Sequence, residues 1–87
     1  MKFLVTYDVS EDSRRNKLVK LLQRYGKRVQ FSCFEIEIYP QNLELLVYEV
    51  ERIIDSNTDR VYFFPISPYS EKAVVKLGVS DKEDTVF

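Results

Sequence analysis

Apolar and polar positions change rhythm several times along this chain, and each change predicts a boundary. Residues 2–7 are apolar on both faces, with Phe3, Val5 and Tyr7 set against Leu4, which predicts a central strand. A polar stretch at 9–13 follows, rich in helix-capping residues and in acids suited to a first helical turn. Leu18, Leu21, Leu22 and Tyr25 then recur at helical spacing and predict a helix over 12–25 with one buried face. Gly26 is expected to stop that helix in a left-handed cap. Beyond it, Val29, Phe31 and Cys33 share one parity, while Phe34, Ile36 and Ile38 share the other. A period of two cannot change parity without a bulge or a corner, so two short strands, 28–32 and 34–39, are expected with a tight join. A single bulged strand is the other reading.

Pro40 suits the first turn of a second helix over 41–54, whose apolar stripe is Leu43, Leu46, Val47, Val50 and Ile54. Residues 55–58 read as a turn. Residues 60–66 read as the last core strand, with Pro65 placing it at or near a sheet edge. The order β-α-β-β-α-β predicts an α+β, ferredoxin-like sandwich with both helices on one face. Residues 73–79 are expected to form a fifth strand. The connection before it contains Pro68, and an edge strand needs a partner. The strand is therefore expected to join the sheet of a second copy, giving a swapped homodimer; pairing within its own chain is the alternative. The whole of 1–87 is read as one domain, with a core over 1–66 and a frayed end at 81–87.

Composition narrows the chemistry. With 87 residues, 45% of them hydrophobic and 31% charged, the chain is an ordinary small globular one whose thin core favours oligomerisation. A single cysteine, Cys33, rules out an internal disulfide framework and fits a cytoplasmic protein. Histidine is absent, which removes imidazole bases, Ser–His and Cys–His pairs and almost all zinc sites. Hydrolysis would have to use carboxylates, Tyr, Lys or Arg with a hard, oxygen-bound cation. No apolar run reaches the roughly 20 residues of a membrane span.

The net charge of −1 conceals a segregation. Residues 13–34 hold seven cations (Arg14, Arg15, Lys17, Lys20, Arg24, Lys27, Arg28) and no acid, whereas 35–59 hold seven acids and only Arg52. A basic first helix of this kind is expected to contact a phosphate backbone. Asp8 ends the first strand just before it. A carboxylate at a central strand's mouth is costly unless it meets water, a donor or a metal. Beside a cationic helix it suggests metal-assisted chemistry on phosphate. Capping of the following loop is the plainer role for Asp8, and Glu11 and Asp12 read as caps too.

At these residues the sequence resembles a known family. Tyr7-Asp8-Val9-Ser10, Arg14-Arg15-Asn16-Lys17, Leu21-Leu22, Tyr25-Gly26, the run from Arg28 to Glu35, and Asp59-Arg60-Val61-Tyr62 together look like the small CRISPR-associated nuclease of spacer acquisition. The resemblance runs from the start to about Gly78. It implies a ferredoxin-like homodimer whose C-terminal strands extend the partner's sheet. It also implies a Mg²⁺- or Mn²⁺-dependent endonuclease of RNA or double-stranded DNA that works beside the CRISPR integrase. The family's aspartate falls on Asp8, its tyrosine on Tyr7, its helix-one basic residues on Arg15 and Lys17, its strand-two arginine on Arg28 and its phenylalanine on Phe34. Asp8 is then expected to be the metal ligand, Asp8, Tyr7 and Arg28 to be catalytic, and Arg15, Lys17, Arg28 and Phe34 to meet nucleic acid, joined by Arg14 and Lys20 from the charge run of the first helix. Lys17 stands where some members carry arginine, keeping charge but losing the bidentate fork. Cys33 stands where valine is frequent.

Three readings follow. One is a Mg²⁺ phosphodiesterase in which two copies of Asp8 face one groove of the dimer. The second is a non-catalytic DNA-binding subunit of an integration complex, and the third a toxin-like ribonuclease of related fold. An RNA-recognition module shares the element order but needs a Gly–aromatic signature on its third strand, which 34–39 lacks.

Overall fold

A computed structural model describes residues 1–73, 75 and 77. Its elements are β1 (Lys2–Asp8), α1 (Asp12–Leu22), β2 (Gly26–Gln30), β3 (Cys33–Glu37), α2 (Pro40–Ile53), β4 (Arg60–Ile66) and a short α3 (Pro68–Lys72). The strands form one antiparallel sheet in the order β2-β3-β1-β4. This is the split β-α-β arrangement expected from the apolar rhythm, with β1 central and β4 at an edge where Pro65 costs no ladder bond.

Strand alternation sorts β1 cleanly. Phe3, Val5 and Tyr7 are buried under the helices, while Leu4, Thr6 and Asp8 lie on the open face. The inward residues join Phe34 and Ile36 of β3, Leu18, Leu21 and Leu22 of α1, and Leu46 and Val50 of α2 in one core. The open face is not polar throughout. Tyr62 and Phe64 of β4 stand half-exposed there, ring edge to ring face with centroids 6.0 Å apart, opposite Thr6 and Leu4.

Helix α1 ends earlier than its apolar pattern suggested, and not through Gly26. Glu11 caps its start by accepting from the Arg14 amide at 3.0 Å. At its end the chain tightens, the amides of Arg24 and Tyr25 donating to the carbonyls of Leu21 and Leu22. Gly26 instead opens β2. A β-carbon there would stand 1.9 Å from the Glu35 carbonyl oxygen, so close strand approach, not a left-handed turn, requires glycine.

The phase change in 28–39 has two causes. Register passes from Arg28 opposite Phe34 to Gln30 opposite Cys33, leaving Val29 as a bulge. Phe31 and Ser32 then form the tight turn. The two-strand reading holds, but each strand lies about two residues nearer the N-terminus than its expected span. Phe31, assigned by parity to the same face as Val29, is instead 79% exposed on the turn. The short α3 was not anticipated. Most of the expected fifth strand at 73–79 and the whole end at 81–87 lie outside the described residues.

Candidate nucleic acid and metal site

Asp8 closes β1 opposite Arg60, with its side chain exposed on the open face. The carboxylate makes no hydrogen bond or ion pair with any described residue. The backbone around it is firmly held. Val9 is buried, and its carbonyl accepts from Arg15 Nη1 at 2.9 Å. The Ser10 amide donates to Asp59 Oδ1 at 3.2 Å, and the Ser10 hydroxyl to the same oxygen at 3.3 Å. A free carboxylate on a pinned main chain pays little reorganisation to bind a cation or meet a donor.

Asp59 is the buried anchor of this end. Its Oδ2 accepts from Arg14 Nε at 2.8 Å and from the Asp55 amide at 2.9 Å. Its Oδ1 also accepts from Thr58 Oγ1 at 3.1 Å. The Arg14 guanidinium, then the Asp55 amide, hold the Asp59 carboxyl well below the usual carboxylate range, against the opposing effect of burial. The same bond raises Arg14 above its ordinary value. Arg14 was expected at nucleic acid; its guanidinium is instead spent on this internal pair. Sequence reading placed Asp59 at the entry to the last strand but gave it no role, because its partners lie up to 49 positions away.

A depressed carboxylate contributes stability that is complete above its unfolded pKa of about 4 and declines as pH falls through and below that value. Thermal melts should therefore be insensitive to this group between pH 7 and 5 and drop below about pH 4. Asp59→Asn should melt lower at neutral pH and show a shallower acid decline. Parallel acid slopes in parent and variant would remove Asp59 as the source.

On the helix side of the sheet a second group converges. Tyr7 is buried, its ring tilted against Phe34 at 6.2 Å, and its amide donates to the Ser32 carbonyl at 3.0 Å. Arg28 is half-buried, its guanidinium 5.9 Å from the centre of the Phe34 ring. Tyr7, Arg15, Asn16, Val19, Arg28, Phe31 and Ser32 line a pocket of about 180 Å³. Phe34 itself is fully buried. Its expected contact with nucleic acid is corrected accordingly: the ring is core, roofed by Arg28, and has no face open to a base.

Lys17 and Lys20 point elsewhere. With Arg24 of the following turn and Glu49 and Arg52 of α2 they line an interhelical groove of about 480 Å³. Asp12 pairs with Arg15, and Glu11 caps α1, so both acids already have partners of their own. Among the described residues no three Cys, His, Asp or Glu side chains gather into a metal cluster. At this end of the sheet the described residues thus offer Asp8 as a carboxylate without a hydrogen bond or ion pair, compatible with a Mg²⁺ ion that keeps most of its waters.

The profile of the family described as CRISPR associated protein Cas2 matches residues 1–74, nearly the whole described chain. The chain belongs to the Cas2 family. It is 36% identical over 78 residues to the CRISPR-associated endoribonuclease Cas2 2 of Methanospirillum hungatei, covering 90% of this chain and 86% of that one. The crystal structure of Streptococcus pyogenes Cas2 superposes with a TM-score of 0.82 at 34% identity, covering 90% of this chain and all of that one. A chain of a partial Cas6-RT-Cas1–Cas2 complex gives a TM-score of 0.75 at 34% identity, covering 87% and 83%. Cas2 structures therefore share both the fold and about a third of the sequence. No helix among the described residues is long and apolar enough to cross a membrane.

Proposed function

We propose that this chain is a CRISPR adaptation protein: a Mg²⁺- or Mn²⁺-dependent endonuclease of RNA or double-stranded DNA that acts in the cytoplasm with the CRISPR integrase. The observation that carries the reading is Asp8, an exposed carboxylate without a partner among the described residues, on a main chain braced by Arg15 and Asp59. The endoribonuclease name of the Methanospirillum relative supports it, and a Cas1–Cas2 assembly among the similar structures supports the integrase partnership.

Asp8 would hold the cation. The bound ion would acidify a coordinated water and offset phosphate charge. Arg28 and Arg15 supply positive charge on the other side of the strand end, and Tyr7 lines the pocket between them. A homodimer would bring two copies of Asp8 to one groove. The apolar open face of Leu4, Tyr62, Phe64 and Ile66 is suited to meet a second sheet, and the strand expected at 73–79 would extend it.

The scaffold reading is favoured by a different observation, the cationic groove of Lys17, Lys20, Arg24 and Arg52. The two readings separate experimentally. Reversing Lys17, Lys20 and Arg24 to Glu should weaken duplex DNA binding by at least about 100-fold and flatten its salt dependence by up to roughly three phosphate contacts. Arg14 is left intact because its loss would strike Asp59. Mg²⁺-dependent cleavage that EDTA stops, tested on RNA and duplex DNA, should persist at saturating protein. Cleavage indifferent to EDTA would remove the metal-dependent reading; duplex affinity unmoved by the reversal would remove the groove.

A further inference from the structure

Phe31 sits on a two-residue turn between β2 and β3 and leaves 79% of its surface in water. Isolated exposed apolar side chains are ordinary. Phe31 differs in what surrounds it. It rims the 180 Å³ pocket whose other walls are Tyr7, Arg15, Asn16, Val19, Arg28 and Ser32. Among the described residues no acid lines that pocket, although the chain as a whole carries one more acid than base.

Arg28 provides the independent second observation. It is half-buried, yet it makes no ion pair with any described residue; its contact is the Phe34 ring beneath it. A partly desolvated guanidinium without a counter-charge is unfavourable unless something anionic approaches. Arg15 is partly committed, to the Val9 carbonyl and to Asp12, so Arg28 is the cation with donors to spare. An exposed aromatic face and an uncompensated guanidinium around one small concavity fit a ligand that is flat and apolar at one end and anionic at the other. A nucleotide whose base is not paired has this shape. A base inside a duplex does not, because both of its faces are already stacked.

We propose that Phe31 and Arg28 form a subsite for one unpaired nucleotide, the base stacking on Phe31 and its phosphate meeting Arg28, with Arg15 as second donor. The subsite rests on the nucleic-acid part of the proposed function and not on cleavage. It makes the protein favour single strands, or duplexes carrying a single-stranded end, over continuous duplex. Phe31 is then a specificity-determining residue, acting on unpaired RNA or unpaired DNA through the same two contacts.

The test is binding without turnover, in EDTA, of the full chain to three labelled probes: single-stranded RNA, single-stranded DNA and blunt duplex DNA. Phe31→Ala should weaken the single-strand probes by roughly 5- to 150-fold, the range of one lost base–aromatic stack, and leave the blunt duplex within about twofold. Phe31→Tyr should restore single-strand binding. Arg28→Ala should weaken the same probes and reduce the salt slope by about 0.7, one phosphate on a single strand. Loss on RNA alone would limit the ligand to RNA, and loss on both would assign the shared chemistry; either supports the subsite. Equal loss on single strands and duplex, unchanged single-strand affinity, or a dimer that dissociates on Phe31→Ala would overturn it. A parent that binds single strands through Phe31 but cuts nothing overturns the nuclease reading alone. A parent that binds no nucleic acid overturns both.

Discussion

Asp8→Ala should lower Mg²⁺-dependent phosphodiester cleavage by at least about 100-fold while leaving the melting temperature within a few degrees of the parent. The size of the effect follows from the role. Removing one group that stabilises transition-state charge costs on the order of 10²–10³ in rate, and losing the carboxylate proposed to hold the cation would also forfeit the cation. The mild effect on stability follows from geometry. The carboxylate is exposed and makes no hydrogen bond or ion pair with a described residue, and such surface changes rarely move stability by more than about 0.5 kcal/mol. Asp8→Asn separates charge from shape, and should lose cleavage equally while leaving the backbone braces on Val9 and Ser10 intact. The measurements are kcat/KM on RNA and duplex DNA at saturating Mg²⁺, with thermal melts on the same preparations. Undiminished cleavage would assign the activity to another residue. A melting point far below the parent's would return Asp8 to the role of loop cap.

Residues whose role is set by local periodicity were legible in the sequence; those whose role is set by a distant partner were not. Phe3, Val5 and Tyr7 alternate with Leu4 and Thr6, and Leu46 and Val50 lie on one helical face, so the sheet, the two helices and most of the core follow from spacing alone. Proline and glycine read less well than their reputations suggest. Pro40 does start α2, but Gly26 answers to the carbonyl of Glu35 across a strand pair, a contact invisible until β2 and β3 are paired. The bulge at Val29 has a larger consequence. With that register shift and the turn after it, Phe31 faces solvent although parity had grouped it with buried Val29, and Phe34 faces inward although the resemblance had set it against nucleic acid. Charge misled in the same way. Arg14 lies in a run of cations and reads as one more phosphate contact, yet Asp59, 45 positions on, has already taken it. Asp8, by contrast, was legible because its significance lies in its place at the end of β1 and not in a distant partner: it makes no hydrogen bond or ion pair with any described residue.

Phe34→Ala should cost about 3–5 kcal/mol, the usual range for emptying a fully buried phenylalanine site. A small domain has only about 5–15 kcal/mol in total, so the variant should be marginal or unfolded at 37 °C, with its melting point lowered by on the order of 20 °C. The ring is packed against Tyr7 on one side and under Arg28 on the other, and it belongs to the same cluster as Leu18, Leu22 and Leu46. Its loss therefore opens a cavity at the centre of the sheet–helix interface, where neighbours on three elements would have to collapse together. Any loss of nucleic-acid binding in Phe34→Ala is then a consequence of unfolding, and Phe34→Leu tests this. Leucine refills most of the volume but offers no aromatic face, so it should retain the fold and bind single strands to within a few-fold of the parent. A well-folded Phe34→Leu that lost binding as Phe31→Ala is expected to would show that the buried ring reaches a base after all. Chemical denaturation of the three variants beside the parent, followed by binding to one single-stranded probe, distinguishes a residue that builds the pocket floor from one that touches what the pocket holds.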